Sequence, residues 1–292
     1  MIRVHTILAT PSVTLAVFDH PPGAVHHDPE HEVAERHSIS FVESGSFDVH
    51  VRGERWRFTP GAIFITEREL EFSCTHDSEC PVDRCLSVGY GPQTVEDLLD
   101  AGVAGLRPRV ESSSARQRYL RHRLESCAPD DELRLELIAG ALFQSLAAGG
   151  ASRPVRGGLH VTDVMRRIDR SVELIESDFA RELTLGELAA AAGMSVYHFA
   201  RVFRDLTGLP AHRYLTAVRL RHAARRLDEG ESVTRTCYDV GFASLSHFVT
   251  AFRKRFGVAP SAARRGARYP VLRASIAAPI WRSTNHRKNP QA

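Results

Sequence analysis

The chain has 292 residues, 43% hydrophobic and 25% charged, a balance that excludes a disordered or fibrous protein and sets a prior of two domains. Its net charge of +3 is uneven: 22 Lys and Arg face 12 Asp and Glu from residue 162 onward, against 16 and 23 before it. Only the second half would attract a polyanion.

No apolar run reaches the about 18 residues that a membrane helix needs. Residues 1–6 (MIRVHT) open no signal sequence, so a cytoplasmic protein with no membrane partner is expected. Five cysteines (Cys74, Cys80, Cys85, Cys127 and Cys237) are an odd number, which argues against a disulfide framework.

Residues 1–92 read as closely spaced strands: Ser38–Val42, Phe47–Val51, Arg55–Thr59, Ala62–Thr66, Glu71–Thr75 and Leu86–Tyr90. Gly and Pro turns separate them, which predicts a small antiparallel sandwich or barrel. From 93 to 148 the spacing becomes helical over 94–101, 114–126 and 131–148, with Asp130 and Asp131 as candidate N-caps of the last. This helical extension could cover the β-domain or pair with a second copy of the chain. The Gly-rich stretch 149–161 reads as a linker. Helical segments then run from 162 to 265, beginning with the stripe Val164, Ile168, Val172, Leu174, Ile175 and Phe179. A basic tail, 266–292, is expected to be loosely ordered. The whole is an α+β chain with an all-α second half.

An internal repeat decides the character of that half. His198-Phe199 recurs as His247-Phe248, Phe203-Arg204 as Phe252-Arg253, and Gly208 as Gly257, each 49 residues on. Each copy reads as helix, glycine turn, helix. In the first, Phe199, Val202, Phe203 and Leu206 form an inner face, and Tyr197, Ala200, Arg201 and Arg204 an outer one. In the second, Phe248, Ala251, Phe252 and Phe256 lie inside, and Ser246, His247, Thr250, Arg253 and Lys254 outside. Ser195 and Ser244 stand where N-caps are needed, so each helix start offers a hydroxyl and free N–H groups to a phosphate. A helix held from behind with a polar, basic front suits the major groove of double-stranded DNA. The intervening run 211–229 predicts one long helix. If both readers lie on one side, they would enter groove segments about 34 Å apart.

Residues 162–265 resemble the DNA-binding domain of the AraC/XylS family of transcription regulators. The second copy carries the signature: Gly241-Phe242-x-Ser244-x-x-His247-Phe248-x-x-x-Phe252-Arg253-x-x-x-Gly257-x-x-Pro260-x-x-x-Arg264. The Arg-Leu pair of the linking helix is Arg219-Leu220. The resemblance implies base contacts from Tyr197, Ala200, Arg201, Ser246, His247 and Thr250. It implies backbone contacts from Ser195, Arg204, Ser244, Arg253 and Lys254. Thr236-Cys237 stand in place of the usual Ile-Ala, Thr250 in place of Arg, and Ala263 in place of Tyr. The first two of these departures point to the second reader as the weaker one.

Residues 53–65 resemble the cupin-type β-barrel that often precedes this domain, where it senses a ligand and helps dimerise. His26, His27, His31 and His37 cluster early, yet no His-x-His occurs and no His closely follows Pro60-Gly61, so a cupin metal centre is not expected. The stretch 74–85 (CTHDSECPVDRC) is a separate matter. Cys74, His76, Cys80 and Cys85 are enough donors for zinc or another thiophilic metal, though their spacing is not that of two Cys-x₂₋₄-Cys pairs. Two buried strand cysteines are the simpler reading, and a redox- or electrophile-sensing thiol is the third. The expected function is a sequence-specific, ligand-responsive transcription activator. It would act as a homodimer with RNA polymerase and a small-molecule effector as partners, and it would not be an enzyme. A cupin or a cysteine alkyl acceptor fused to a DNA-binding module is the alternative.

Overall fold

A computed structural model describes residues 3–20, 30–76, 82–100, 102–127, 131–147 and 161–266. The chain divides into two compact units, one of residues 3–113 with 121–147, the other of 114–120 with 161–266. Nearly all of the expected linker and of the tail lies outside the described residues, as do His26, His27, Cys80 and Asp130, while residue 161 opens a helix.

The first unit begins with nine strands: β1 (Arg3–Ala9), β2 (Val13–Asp19), β3 (Glu30–Val33), β4 (His37–Ser44), β5 (Phe47–Val51), β6 (Glu54–Phe58), β7 (Ala62–Thr66), β8 (Glu71–His76) and β9 (Arg84–Tyr90). Helix α1 (Pro92–Asp100), strand β10 (Arg109–Ser112), helix α2 (Ala115–Glu125) and helix α3 (Glu132–Ala147) follow, with the unit boundary inside α2. All strand pairings are antiparallel. They build a six-stranded sheet, β1-β2-β9-β4-β7-β10, and a four-stranded one, β3-β8-β5-β6.

The expected barrel is therefore corrected to two open sheets. Among the described residues β1, β10, β3 and β6 each pair on one side only, so neither sheet closes. Alternation and turns locate strands, but they do not say which edges meet. Strands β1, β2, β3 and β10 were not anticipated. β1 is an edge strand, almost wholly exposed and bulged between Thr6 and Leu8, so no clean alternation marks it.

The apolar interior of this unit draws on both sheets: Val42 and Phe64 from the larger, Phe47, Val49 and Phe58 from the smaller. Phe47 stacks on Phe58 at 5.1 Å. Helix α3 buries Leu135, Ala139, Leu142 and Phe143 within the same unit. There the Tyr90 hydroxyl donates to the Ala139 carbonyl at 2.8 Å, and Thr10 to Glu136 at 2.8 Å. Burial raises the Glu136 carboxyl above its ordinary value. Asp131 accepts from the Arg134 N–H at 3.2 Å, as a residue at a helix start does.

The second unit is helical: α4 (Val161–Asp178), α5 (Leu185–Ala191), α6 (Val196–Thr207), α7 (Ala211–Asp228), α8 (Val233–Asp239), α9 (Leu245–Phe256) and α10 (Pro260–Ala263). It has two cores. One gathers Val164, Ile168, Val172 and Ile175 of α4 with Leu188, Phe199 and Phe203. The other gathers Cys237, Val240, Phe242, Phe248, Phe252 and Phe256.

Helix α7 serves both cores. Ala211, Leu215 and Val218 enter the first, and Leu220, Ala223, Ala224 and Leu227 the second. At about 100° per residue these two stripes lie about half a turn apart around the helix. A single amphipathic face is consequently missing from α7, and each half of the helix buries a different side. The Arg219-Leu220 pair marks the change. Leu220 joins the second core, while Arg219 donates to the carbonyls of Phe179 at 2.7 Å and Arg181 at 2.8 Å, just beyond the end of α4. Those two carbonyls would otherwise lack helical partners. Arg221, buried on the same helix, pairs with Glu176.

Candidate nucleic-acid interface

The two helix-turn-helix units are α5–α6 and α8–α9. Thr184 caps α5 in a reciprocal capping box with Glu187, and Ser232 caps α8. The hydrogen bonds from Thr184 and the Arg181 guanidinium hold the Glu187 carboxyl down at about 2. Both reader helices, α6 and α9, have 12 residues. Ser195 and Ser244 cap them, each hydroxyl accepting the N–H three residues on at 3.4 Å. The repeat has one irregularity. The turn in the first copy spans 192–195 and in the second 240–244, one residue more. The first helices of the two copies are offset by 48, the readers by 49.

The inner faces are buried: Phe199, Val202, Phe203 and Leu206 in α6, and Phe248, Phe252 and Phe256 in α9. Ala251 is half-buried. On the outer side of α6, Tyr197 is 82% exposed, Arg201 and Arg204 are exposed, and Ala200 is half-buried. Ser195 is exposed at the start of the helix. On α9, Ser246, His247, Thr250, Arg253 and Lys254 are exposed, with Ser244 at the start. The expected reading surfaces are thus brought to solvent as two stripes, each backed by aromatic packing. Arg255 behaves differently: it is half-buried, and desolvation draws its guanidinium down to about 10, which still leaves it charged at neutral pH.

The second reader's polar groups are partly engaged. Thr250 donates to the Ser246 carbonyl at 2.9 Å, and the His247 ring packs edge-on against Phe242 at 5.5 Å. Among the described residues Tyr197 and Arg201 make no comparable contact. The departures at Thr236, Cys237 and Ala263 fall in the second core, each at 0% exposure, rather than on the reading face. The Thr236 hydroxyl has no hydrogen-bond partner among the described residues. Thr236→Val, which keeps the shape and removes that hydroxyl, is expected to stabilise the protein by about 1 kcal/mol. Urea unfolding of the two proteins measures the difference, and a loss of stability would contradict this account of the site.

Of the four candidate metal donors at 74–85, the described residues show the simpler arrangement, two buried strand cysteines. Cys74 and Cys85 sit among apolar side chains of the first unit, and Cys80 is outside the described residues. Burial, followed by the charges of Asp83, Glu43 and Glu32, pushes the Cys85 thiol far up, which opposes thiolate ligation. His76 instead meets His20 and Asp83, neither of which stood out in the sequence. Only the register of β2 on β9 brings those two together.

Comparison with known proteins bears on both units. Residues 188–266 match a family model described as a helix-turn-helix domain. The chain is 26% identical over 282 residues to the HTH-type transcriptional activator RhaS of Escherichia fergusonii, covering 91% of this chain and 98% of that protein. It is 28% identical over 255 residues to RhaS of Klebsiella pneumoniae, covering 82% and 88%. A solved structure of a probable AraC family transcriptional regulator from Rhodopseudomonas palustris is 30% identical, with a TM-score of 0.33, over 35% of this chain and 98% of that one. Among the described residues no helix is long and apolar enough to cross a membrane. The capped double repeat, the matched helix-turn-helix model and the likeness to RhaS over most of both chains lead to one identification: the chain belongs to the AraC/XylS family of helix-turn-helix DNA-binding transcription regulators, with an accessory domain at its N-terminus.

Proposed function

We propose that this regulator is a ligand-responsive transcription activator that reads its operator chiefly through α6. The observation that carries the reading is the pair of serine-capped helices, each buried on a Phe face and exposed on a polar and basic one. In this reading Tyr197, Ala200 and Arg201 meet base edges in one groove segment, and Ser246, His247 and Thr250 in the other. Ser195, Arg204, Ser244, Arg253 and Lys254 hold phosphates, with the cap hydroxyls donating and the first free N–H groups of each helix adding their dipoles.

The first unit supplies the ligand response. It holds a partly open cavity of about 500 Å³ between its sheets, in the range of small-molecule sites, lined by Phe64, Phe72, Ser40, Ser87 and Thr66 among others. An effector there, a second copy of the chain, and RNA polymerase are the partners in this scheme. Activation rather than repression is supported by the relatives, which are named as activators. The test is genome-wide DNA footprinting of the full-length protein, followed by transcription from the protected promoters with extracts of candidate effectors. Short protected sites upstream of promoters and effector-dependent transcription are expected. Uniform, sequence-independent protection would overturn the reading.

A further inference from the structure

The strongest unassigned feature is the meeting of two imidazoles and a carboxylate inside the first unit. His20 follows the end of β2, and Asp83 precedes β9. The ladder that pairs Asp19 with Arg84 continues by one step, with the His20 N–H donating to the Asp83 carbonyl at 2.9 Å. His76 ends β8, opposite Phe47, and so comes from the other sheet. The three side chains are nearly fully buried, at 6% exposure for His20 and Asp83 and 4% for His76.

Both rings converge on one oxygen. Asp83 Oδ1 lies 2.7 Å from His20 Nδ1 and 3.4 Å from His76 Nε2. One donor atom from each residue falls within 4.8 Å of the others. Zinc bonds to His nitrogen and carboxylate oxygen of about 2.0–2.2 Å place tetrahedral ligands about 3.3–3.6 Å from one another. The His76–Asp83 separation already has that value, and His20 Nδ1 and Asp83 Oδ1, 2.7 Å apart, would part by less than about 1 Å. All three residues line the cavity.

The backbone around Asp83 is held for the purpose. Gly45, at φ 78, sits so close that a Cβ there would lie 2.3 Å from the Val82 carbonyl oxygen and 2.6 Å from the Asp83 Cα. No larger residue lets the β4–β5 turn seat against Asp83 in this way.

We propose that His20, His76 and Asp83 bind one divalent first-row transition metal ion, zinc foremost, across the two sheets. Two imidazoles and a carboxylate suit zinc, cobalt and nickel better than the hard cations, which prefer oxygen alone. The ion takes over the charge balance of a carboxylate and two rings shut away from water, and it joins the sheets at a point where no strand ladder does. Three protein ligands leave a fourth tetrahedral position for water or a small anion. The donor set is nitrogen and oxygen; Cys74 and Cys85 are not part of it.

Full-length protein stripped with chelator and then titrated with Co²⁺ tests this. One equivalent is expected to bind, with visible ligand-field bands and no thiolate-to-cobalt charge-transfer band, and Zn²⁺ should displace it. Zn²⁺ should also raise the thermal midpoint of the wild type and leave that of Asp83→Asn unmoved. His76→Ala and Asp83→Asn should each weaken cobalt binding by at least about 100-fold, more than loss of an outer hydrogen-bond partner costs. If a variant does not fold, the wild-type stoichiometry and spectrum decide alone. Less than stoichiometric binding by the wild type, a thiolate band, or wild-type affinity in both folded variants overturns the proposal.

Discussion

Arg201→Ala is expected to lower affinity for the protein's own operator by about 5- to 150-fold, the equivalent of the 1–3 kcal/mol that one good side-chain-to-base pair discriminates. Affinity for unrelated duplex should fall much less. Arg201 is exposed on α6 one turn beyond Tyr197, on a helix whose other side is fixed by Phe199 and Phe203. A guanidinium in that place has no folding role to lose, so the effect is read in binding alone. Arg204→Ala is the control. A phosphate contact should weaken specific and non-specific binding alike and flatten the salt dependence by about one unit of slope. Binding titrations on a footprinted operator and on scrambled duplex, at several salt concentrations, separate the two. If Arg201→Ala weakens both duplexes equally, α6 is not reading bases through that residue.

Gly241→Ala is expected to cost roughly 3–4 kcal/mol of stability, combining backbone strain with steric overlap. Gly241 has φ 88, and a Cβ on it would lie 2.3 Å from the Ala180 carbonyl oxygen. That backbone cannot retreat freely, because Arg219 grips the carbonyls on either side of it, Phe179 and Arg181. Gly257 has nearly the same dihedral, φ 75, but nothing within 4 Å of its would-be Cβ. Gly257→Ala should therefore cost only about 1 kcal/mol, the conformational part. Urea unfolding of both variants gives the comparison. Equal losses would mean that the approach of the second turn to the end of α4 carries no weight.

Several parts of this regulator were legible because they depend on neighbours in the chain. A helix start needs its cap within three residues and a buried face repeats every three to four, so α6 and α9 could be found from Ser195, Ser244 and the Phe spacing. The 49-residue repeat then marked two helices of the same make as a pair of readers. Six strands were legible from alternation for the same local reason.

Other parts depend on which distant segments meet, and local pattern is silent there. Nothing in a strand's alternation states whether its sheet closes, and the expected barrel became two open sheets. The low amphipathicity of α7 hides two apolar stripes on opposite sides, visible only once each half has a core to enter. The sequence by itself determined the helix-turn-helix pair, its caps and its basic fronts, because these are short-range properties of backbone and side chain. Tertiary structure alone decided that His76 meets His20 and Asp83. Ligand geometry there is set by strand register and by sheet facing sheet, distances that no spacing along the chain encodes.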